Sequence, residues 1–212
     1  MTLIGGGDLL SADLEEALSF APTLVAADGG AARAMAAGHM PDCVIGDFDS
    51  LSDEEIRAIP ADRRHPVDEQ DSTDFEKCLI RIRAPLVLCV GFLGRRVDHQ
   101  LAAMSALISR PSPPAILIGE KDVVFHAPET LELDLPVGSR LSLFPMSRVR
   151  GRSEGLEWPI DGLAFAPDGR IGTSNRVTGP VRLSFDGPGM LAIMPRAALA
   201  QAMRRLWRDP AP

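Results

Sequence analysis

The first half of the chain alternates short apolar runs with segments in which apolar residues recur at helical spacing. Five apolar runs predict strands: TLIGG, TLVAADGG, DCVIGDFDS, PLVLCVG and AILIGE. Five segments between them predict helices: SADLEEALSF, AARAMAAG, SDEEIRAI, STDFEKCLIRIR and VDHQLAAMSALIS. PLVLCVG is apolar throughout, as is typical of a strand in the middle of a parallel sheet. The alternation therefore predicts βαβ units in a doubly wound, mostly parallel sheet.

Beyond about residue 122 the pattern changes to short runs broken by glycine and proline. These runs are VVFHA, LELDL, SRLSLFPM, GLEWPI, GRIGTSNRV, PVRLSF and GMLAIMP. Such a series is typical of antiparallel strands, and the tail RAALAQAMRRLW has the spacing of a terminal helix. The predicted fold class is α/β, with an N-terminal parallel-sheet domain of residues 1–122 followed by an antiparallel β-sandwich domain of residues 123–212.

Charge is distributed unequally between the two regions. Residues 1–139 contain 11 Lys and Arg against 23 Asp and Glu, a net charge of −12. Residues 140–212 contain 11 Arg against 6 Asp and Glu, a net charge of +5. An acidic first region argues against nucleic acid as the main partner, because phosphate backbones require Lys and Arg. It is compatible with a nucleotide that binds through divalent cations.

The expected compartment is the cytoplasm. The N-terminal sequence MTLIGGGDLL has no basic segment ahead of an apolar one and no cleavage site, so it does not resemble a signal peptide. No apolar run approaches the roughly 18 residues that a membrane span requires, so no membrane partner is expected. Cys43, Cys78 and Cys89 are scattered without a CxxC pair, which indicates neither a zinc ribbon nor a disulfide framework.

Four polar stretches fall where predicted strands end or predicted helices begin. They are ADGGA at 27–31, GDFDS at 46–50, DEQDSTD at 68–74 and GFLGRRVDH at 91–99. In open α/β sheets, ligands bind in the crevice outside the carboxyl ends of the strands. The shared placement therefore predicts one site built from all four stretches.

The stretch GDFDS places two carboxylates, those of Asp47 and Asp49, two positions apart. In an extended segment both point the same way, with Phe48 facing the core. Their mutual repulsion is relieved by a Mg²⁺ ion, which takes one or two carboxylates together with substrate phosphates. An Asx-turn, or a cap on the next helix through Asp49 or Ser50, is the alternative.

The stretch DSTD also has two interpretations. Asp71 or Ser72 is a natural N-cap, and Asp74 three residues on approximates a capping box. Asp71 and Asp74 also share one face of the first helical turn, which Lys77 continues, so the same carboxylates are able to face a cation.

The glycines and arginines of the other two stretches are compatible with phosphate. Gly29 and Gly30 permit close backbone approach ahead of a helix N-terminus, or they simply allow a tight turn. Arg95 and Arg96 are suited to pairing with phosphate, although a helix cap at Asp98 with solvated arginines explains them equally well. Neither a full GxGxxG nor a GxxxxGK[ST] motif is present, which weighs against Rossmann and P-loop sites.

In the second region, SEGLEWPI and TSNRV stand out. Trp158 is one of two tryptophans in a chain without tyrosine. A tryptophan is more often part of a core, but a flat indole near Ser174 and Asn175 also suits stacking on a heteroaromatic ring.

Taken together and in order, these stretches resemble the thiamine pyrophosphokinase (thiamine diphosphokinase) family. The family pattern runs ADGGA, PDxxIGDFDS, QDxTDFxK and GxxGxRxDH, followed by a β-domain with GLxW/Y and SN. The matches here are residues 27–31, 41–50, 70–77, 91–99, 155–158 and 174–175. The resemblance spans nearly the whole chain, and PDCVIGDFDS and QDSTDFEK are its most specific parts.

The resemblance implies an α/β domain that binds ATP, a β-sandwich domain, and a homodimer whose thiamine sites lie at the subunit interface. The implied reaction transfers a diphosphate from ATP to the hydroxyethyl oxygen of thiamine, giving thiamine diphosphate and AMP. Mg²⁺ is the implied cofactor.

The resemblance also implies roles for matching residues. The implied Mg²⁺ ligands are Asp47, Asp49, Asp71 and Asp74. Catalytic roles fall on Asp71, Asp74, Asp98, Arg96 and Lys77. Our hypothesis from the chemistry of the transfer is that Asp98 or Asp71 accepts the proton of the alcohol. Contacts to ATP fall on Asp28, Gly29, Gly30 and Arg96, and contacts to thiamine fall on Trp158, Ser174 and Asn175.

The chain departs from the family pattern at four positions. Glu69 stands where an aspartate is frequent, Ala32 and Ala103 where asparagines are common, and Arg95 where glycine is frequent. A non-catalytic thiamine or nucleotide sensor on the same fold, and a Mg²⁺-dependent phosphohydrolase, are the alternative functions.

Overall fold

The structure, a computed structural model, describes residues 1–94, 96–109 and 113–207. The chain divides into two compact units, Met1–Gly119 and a second unit that begins at Glu120. The change of sequence pattern near residue 122 falls close to this division. Arg95, which the sequence associates with phosphate, lies outside the described residues.

The first unit contains a parallel sheet. Its strands are β1 (Thr2–Ile4), β2 (Leu24–Ala27), β3 (Cys43–Gly46), β4 (Arg64–Pro66), β5 (Val87–Val90) and β6 (Ala115–Ile118). They lie in the order β6-β5-β1-β2-β3-β4, and each neighbouring pair is parallel. The residues of β2, β5 and β6 are all buried, in keeping with the near-continuous apolar sequence of sheets covered on both faces. The predicted parallel sheet is confirmed.

The helices of this unit follow the predicted segments. They are α1 (Ser11–Phe20), α2 (Gly30–Ala36), α3 (Asp53–Ala58), α4 (Asp74–Arg81) and α5 (Val97–Ser109). Ser52 and Glu55 form the capping box that begins α3. Helix α3 ends before Pro60, and Gly38 follows α2 with a φ of 86°, a conformation that favours glycine.

The start of α4 differs from the prediction. The N-cap is Thr73, whose hydroxyl accepts a hydrogen bond from the Glu76 N–H at 3.3 Å, and not Asp71 or Ser72. Glu69 contacts the two residues that precede this cap. Its carboxylate accepts hydrogen bonds from the backbone N–H groups of Asp71 and Ser72, at 2.9 and 3.1 Å, and from the Ser72 hydroxyl.

Strand β4 was not predicted. Its residues Arg64, His65 and Pro66 provide none of the apolar alternation that marks a strand, and none of them is buried. It pairs only with β3 at the edge of the sheet, where a short polar strand is tolerated.

The order of the parallel strands places β1 between β2 and β5. The chain leaves β1 toward one side of the sheet and later returns to its other side, which makes the carboxyl ends of β1 and β5 the topological switch point. Backbone hydrogen bonds extend there beyond the strands, from Gly5 N to Val90 O at 2.9 Å and from Gly7 N to Gly91 O at 3.0 Å. The expected ligand crevice begins at these glycines.

The second unit is antiparallel. Its strands are β7 (Asp122–His126), β8 (Thr130–Leu133), β9 (Arg140–Pro145), β10 (Val149–Leu156), β11 (Ala164–Phe165), β12 (Gly172–Phe185) and β13 (Met190–Pro195), and α6 (Leu199–Leu206) follows. β13 pairs with β7 and β9, and β12 pairs with β8, β9 and β10. All of these pairs are antiparallel, as predicted. The arrangement of these strands as a sandwich stays a prediction.

Two predicted runs of this unit form one strand. GRIGTSNRV and PVRLSF are joined in β12, which has 14 residues. Its first part pairs with β9 and its last part with β10, and the register against β10 shifts between Glu154 and Leu156. Gly155 adopts a φ of 74° at this shift and lies opposite the four residues of β12 between Val177 and Arg182, so the bulge is in β12. The run GLEWPI is divided, because β10 ends at Leu156.

Within the part of the chain that the structure describes, the helices are too short or too polar to span a lipid bilayer.

Candidate active site

A cavity of about 730 Å³ opens at the switch point of the parallel sheet. Glycines at the ends of β1 and β5 form much of its wall: Gly5, Gly6, Gly7, Gly91 and Gly94. A Cβ atom on Gly5 would lie 2.7 Å from the ring of Phe92, so this wall requires glycine for close packing. The cavity has the location that a parallel sheet gives to a nucleotide-sized ligand.

The glycines that follow β1 were not predicted to belong to the site. Gly5, Gly6, Gly7 and Asp8 all line the cavity. The signal was present, since three glycines and an aspartate follow the first predicted strand as the other polar stretches follow theirs.

One side of the cavity is apolar. The rings of Phe75 and Phe92 lie with their centroids 4.4 Å apart, and both residues line the cavity. Ala32 and Ala103, where family members commonly have asparagine, line it as well. These side chains offer a flat, weakly polar surface.

Three carboxylates meet where β2 and β3 end. Asp28 follows β2, whereas Asp47 and Asp49 follow β3, and each offers an oxygen within 4.8 Å of the others. The parallel pairing of Ala27 with Ile45 brings these two strand ends together. We call Asp28, Asp47 and Asp49 the acidic cluster.

Asp28 is the most unusual member of the acidic cluster. It is 1% exposed, and neither carboxylate oxygen has a hydrogen-bond partner among the described residues. Its φ of 42° is uncommon for a residue other than glycine. A Cβ atom on Gly46 would lie 2.7 Å from the Cβ of Asp28, so this glycine leaves room for the aspartate.

A buried carboxylate without a partner is costly unless a positive charge neutralises it. Oxygen ligands from carboxylates are those that Mg²⁺ and Ca²⁺ prefer. The acidic cluster therefore fits a divalent cation, and the unpartnered oxygens of Asp28 are the observation that carries this fit.

Asp47 and Asp49 adopt a turn, and the predicted extended conformation is wrong. Phe48 between them has a φ of 65° and is only partly buried. The Asp49 N–H donates to Asp47 Oδ1 at 3.3 Å, as in an Asx-turn. The turn satisfies this backbone group and still brings the two carboxylates within reach of each other.

Lys77 joins the acidic cluster to α4. Its Nζ donates to Asp47 Oδ2 at 2.9 Å and to Asp74 Oδ1 at 3.2 Å, and its side chain is only 2% exposed. Gln70 also donates to Asp47 Oδ2, at 2.9 Å. Two separate segments of the chain are therefore held together through one ammonium group.

The hydrogen bond from Lys77 lowers the pKa of Asp47 to about 2. Burial raises the pKa of Asp74, more than its hydrogen bond from Lys77 lowers it. Burial by itself lowers the pKa of Lys77, but the hydrogen bonds to Asp47 and Asp74 outweigh it and leave the pKa raised. At neutral pH the group is an ammonium bound between carboxylates.

The four predicted metal ligands occupy different surroundings. Asp47 and Asp49 belong to the acidic cluster, Asp74 contacts Lys77 and lines the cavity, and Asp71 is exposed. Asp28, predicted to contact nucleotide, completes the cluster and also lines the cavity. Glu69 contacts Ser72, whose hydrogen bond lowers the pKa of the glutamate.

The two glycines of ADGGA have distinct surroundings. Gly29 is the N-cap of α2 and lines the cavity. A Cβ atom on Gly30 would collide with the carbonyl oxygen of Ile4, so Gly30 permits close packing between α2 and β1.

Arg96 and Asp98 form an ion pair. Arg96 Nη2 lies 2.7 Å from Asp98 Oδ2, and both side chains are about two-thirds exposed. The hydrogen bond from Arg96 lowers the pKa of Asp98 to about 2. Arg96 and His99 line the cavity.

The second unit brings Trp158 and Asn175 together. The Asn175 side chain accepts a hydrogen bond from Trp158 N at 3.2 Å and donates to Trp158 O at 2.7 Å. Asn175 is 6% exposed, whereas Trp158 is 53% exposed. Ser174 has a φ of 58°, and its N–H donates to Ser142 Oγ at 2.9 Å.

The first unit thus combines a parallel α/β sheet with an acidic cluster and a glycine-lined cavity at the carboxyl ends of its strands. A family model described as "Thiamin pyrophosphokinase, catalytic domain" matches residues 14–117. Thiamine pyrophosphokinase 1 of Oryza sativa subsp. japonica is 28% identical over 161 residues, which covers 66% of this chain and 60% of the relative. Thiamine pyrophosphokinase 1 of Arabidopsis thaliana is 26% identical over 158 residues, covering 66% of this chain and 59% of the relative.

Solved structures share the fold over most of the chain. Thiamin pyrophosphokinase from Candida albicans superposes with a TM-score of 0.74 at 16% identity, covering 92% of this chain and 89% of that one. Thiamine pyrophosphokinase from Bacillus subtilis gives 0.73 at 21% identity, covering 92% and 97%.

The chain is therefore similar to thiamine pyrophosphokinases in the sequence of residues 14–117 and in its fold. It spans about 60% of the length of the curated relatives that it matches.

Proposed function

We propose that this protein is a thiamine diphosphokinase, which transfers a diphosphate from ATP to thiamine and releases AMP. The observation that carries the proposal is the unpartnered, buried carboxylate of Asp28 beside Asp47 and Asp49. A cation bound there lies at the carboxyl ends of the strands, where an α/β sheet binds its nucleotide. The curated relatives carry the name of this activity.

Mg²⁺ is the proposed cofactor, with Asp28, Asp47 and Asp49 as its protein ligands. When bound, it supplies positive charge to the phosphate oxygens of ATP. Asp74 contributes through Lys77, and Asp71 is exposed near the start of the same helix and faces the reacting groups in this proposal.

ATP occupies the glycine-lined cavity in this proposal. Its base lies against the apolar side formed by Phe75 and Phe92, and its phosphates approach Gly29 and Arg96. Arg96 is already oriented by Asp98, so its guanidinium needs little reorganisation to pair with phosphate.

The proposed transfer forms one bond and breaks one. The hydroxyethyl oxygen of thiamine attacks the β-phosphorus of ATP, and the bond from this phosphorus to the oxygen bridging it to the α-phosphorus breaks. AMP leaves with that bridging oxygen, and the alcohol proton passes to a carboxylate. Asp71 suits this role better than Asp98, because the ion pair with Arg96 makes Asp98 a weak base.

Thiamine is held by the second unit in this proposal. The exposed indole of Trp158 stacks on the ring system of thiamine, and Asn175 fixes the position of Trp158. Ser174 directly precedes Asn175 in the sequence. The proposal includes a cytoplasmic homodimer that binds thiamine at the subunit interface.

One assay separates this function from the alternatives. Purified protein is incubated with ATP, Mg²⁺ and thiamine, and the products are separated by chromatography. Thiamine diphosphate and AMP in equal amounts are expected. ADP or free phosphate without thiamine diphosphate would instead support a phosphohydrolase, and ligand binding without turnover would support a sensor.

A further inference from the structure

Lys77 is among the largest side chains in the described part of the chain that are almost fully buried. A buried lysine is expensive because its ammonium loses hydration, so its position demands a physical reason. Here the ammonium lies between carboxylates from two elements, Asp47 after β3 and Asp74 at the start of α4.

The charges around Lys77 define its role. Asp28, Asp47 and Asp49 lie within 4.8 Å of one another, and the carboxylates of Asp28 and Asp47 also repel that of Asp74. Four carboxylates in this space match the charge of two divalent cations, which is the arrangement of two-metal phosphotransfer sites. Lys77 supplies one positive charge at a fixed position inside this group.

The hydrogen bonds divide the carboxylates into two sets. Asp47 Oδ2 accepts from both Lys77 and Gln70, and Asp74 Oδ1 accepts from Lys77. The carboxylate oxygens of Asp28 accept no hydrogen bond from the described residues. A divalent cation therefore has its free ligands on the Asp28 side, while the Asp74 side is already neutralised by the ammonium.

We propose that Lys77 takes the place of a second metal ion, so that the site binds one divalent cation per chain. This inference rests on the metal site of the proposed function. Lys77 is a positioning residue here: it acts on the metal and the phosphates through Asp47 and Asp74.

Two variants of Lys77 isolate its charge. Lys77→Arg keeps a positive charge, although its planar group is larger. Lys77→Met keeps an unbranched apolar stem and removes the charge, leaving Asp47 and Asp74 unneutralised.

The test is the stoichiometry of Mn²⁺ binding without nucleotide, measured by titration calorimetry and electron paramagnetic resonance. The wild type and Lys77→Arg are expected to bind one Mn²⁺ per chain and to give the spectrum of an isolated ion. Lys77→Met is expected to bind two, with the spectrum of a spin-coupled pair. A purely structural role for Lys77 does not predict a coupled pair.

Two Mn²⁺ ions in the wild type, or no bound Mn²⁺, would overturn the inference, and these counts do not depend on whether Lys77→Met folds. A single, unchanged site in folded Lys77→Met would overturn it as well. The result is separable from the proposed activity, because a protein that binds one Mn²⁺ but forms no thiamine diphosphate refutes the activity and leaves the inference in place.

Discussion

The side-chain amide of Asn175 binds both backbone polar groups of Trp158. Asn175 Oδ1 accepts from Trp158 N at 3.2 Å, and Asn175 Nδ2 donates to Trp158 O at 2.7 Å. The asparagine is buried, whereas the indole is exposed. The pair therefore holds an exposed aromatic surface at a fixed position outside the end of β10.

Replacing Trp158 is expected to weaken thiamine binding. Aromatic pairs contribute about 0.5–1.5 kcal/mol beyond their buried area, so Trp158→Ala is expected to raise the KM for thiamine roughly tenfold. The KM for ATP is expected to stay unchanged. Steady-state kinetics with Trp158→Phe as the control, which keeps a stacking ring, provide the measurement; an unchanged KM for thiamine in Trp158→Ala would remove the indole from the site.

Replacing Asn175 is expected to destabilise the protein. Asn175→Ala leaves partly buried backbone groups of Trp158 and Arg176 without their hydrogen bonds to Asn175, which is expected to lower the free energy of unfolding by about 1–3 kcal/mol. Urea denaturation measures the change. Thr173→Ala, at an exposed position of the same strand, is the matched control and is expected to change stability by less than about 0.5 kcal/mol. Equal stability of the two variants would contradict a structural role for Asn175.

Asp28→Asn is expected to separate stability from function. Without metal, the variant no longer buries an unpartnered negative charge, so its free energy of unfolding in EDTA is expected to rise by roughly 1–3 kcal/mol. Turnover with Mg²⁺ is expected to fall by about 100-fold or more, because a metal ion supplies several kcal/mol of charge stabilisation.

Denaturation in EDTA and the turnover assay measure these two effects. Asp62→Asn, which also replaces a carboxylate by an amide but at an exposed position, serves as the control. A destabilised Asp28→Asn with normal turnover would show that the carboxylate is a structural group and not a metal ligand.

Acid is expected to remove the contribution of Asp47 to stability. Its pKa is lowered to about 2 in the folded protein, chiefly by the hydrogen bond from Lys77, against about 3.9 in an unfolded chain. The stabilisation, about 2–3 kcal/mol at most, is therefore present above about pH 4 and disappears as the pH falls through about 2. Urea denaturation of metal-free wild type and Asp47→Asn between pH 2 and pH 6 measures it, and a difference that does not depend on pH would contradict this origin.

Gly46→Ala is expected to disturb Asp28. The added methyl group would lie 2.7 Å from the Cβ of Asp28, which forces the aspartate or β3 to move. The expected cost is about 1–3 kcal/mol of stability, together with weaker Mn²⁺ binding. Gly187→Ala, where a Cβ meets nothing within 4 Å, is the control. Unchanged Mn²⁺ affinity in Gly46→Ala would show that the site tolerates displacement of Asp28.

Local sequence rules located most of the strands, the helices and the edge of the sheet at which the polar stretches meet. GDFDS and DSTD were recognised because both follow the end of a strand or begin a helix. The unpartnered state of Asp28 was not predictable, since it depends on the register of β2 against β3 and on the missing side chain at Gly46.

The contact between Lys77 and Asp47 could not be predicted from the sequence either. The two residues are separated by 30 positions, and only the packed position of α4 brings them together. The cap of α4 was assigned to the wrong residue because Asp71, Ser72 and Thr73 are all good N-cap residues, so their individual propensities do not distinguish between them.

Strand β4 has a consequence for how this protein avoids aggregation. It ends the parallel sheet with Arg64, His65 and Pro66, a sequence that carries a charge and a residue without an N–H group. The Arg64 guanidinium turns back to the carbonyl of Ile59. Few backbone N–H groups of this edge strand are therefore available to pair with an approaching extended chain. The polar residues that made β4 difficult to predict also protect the sheet from cross-β growth.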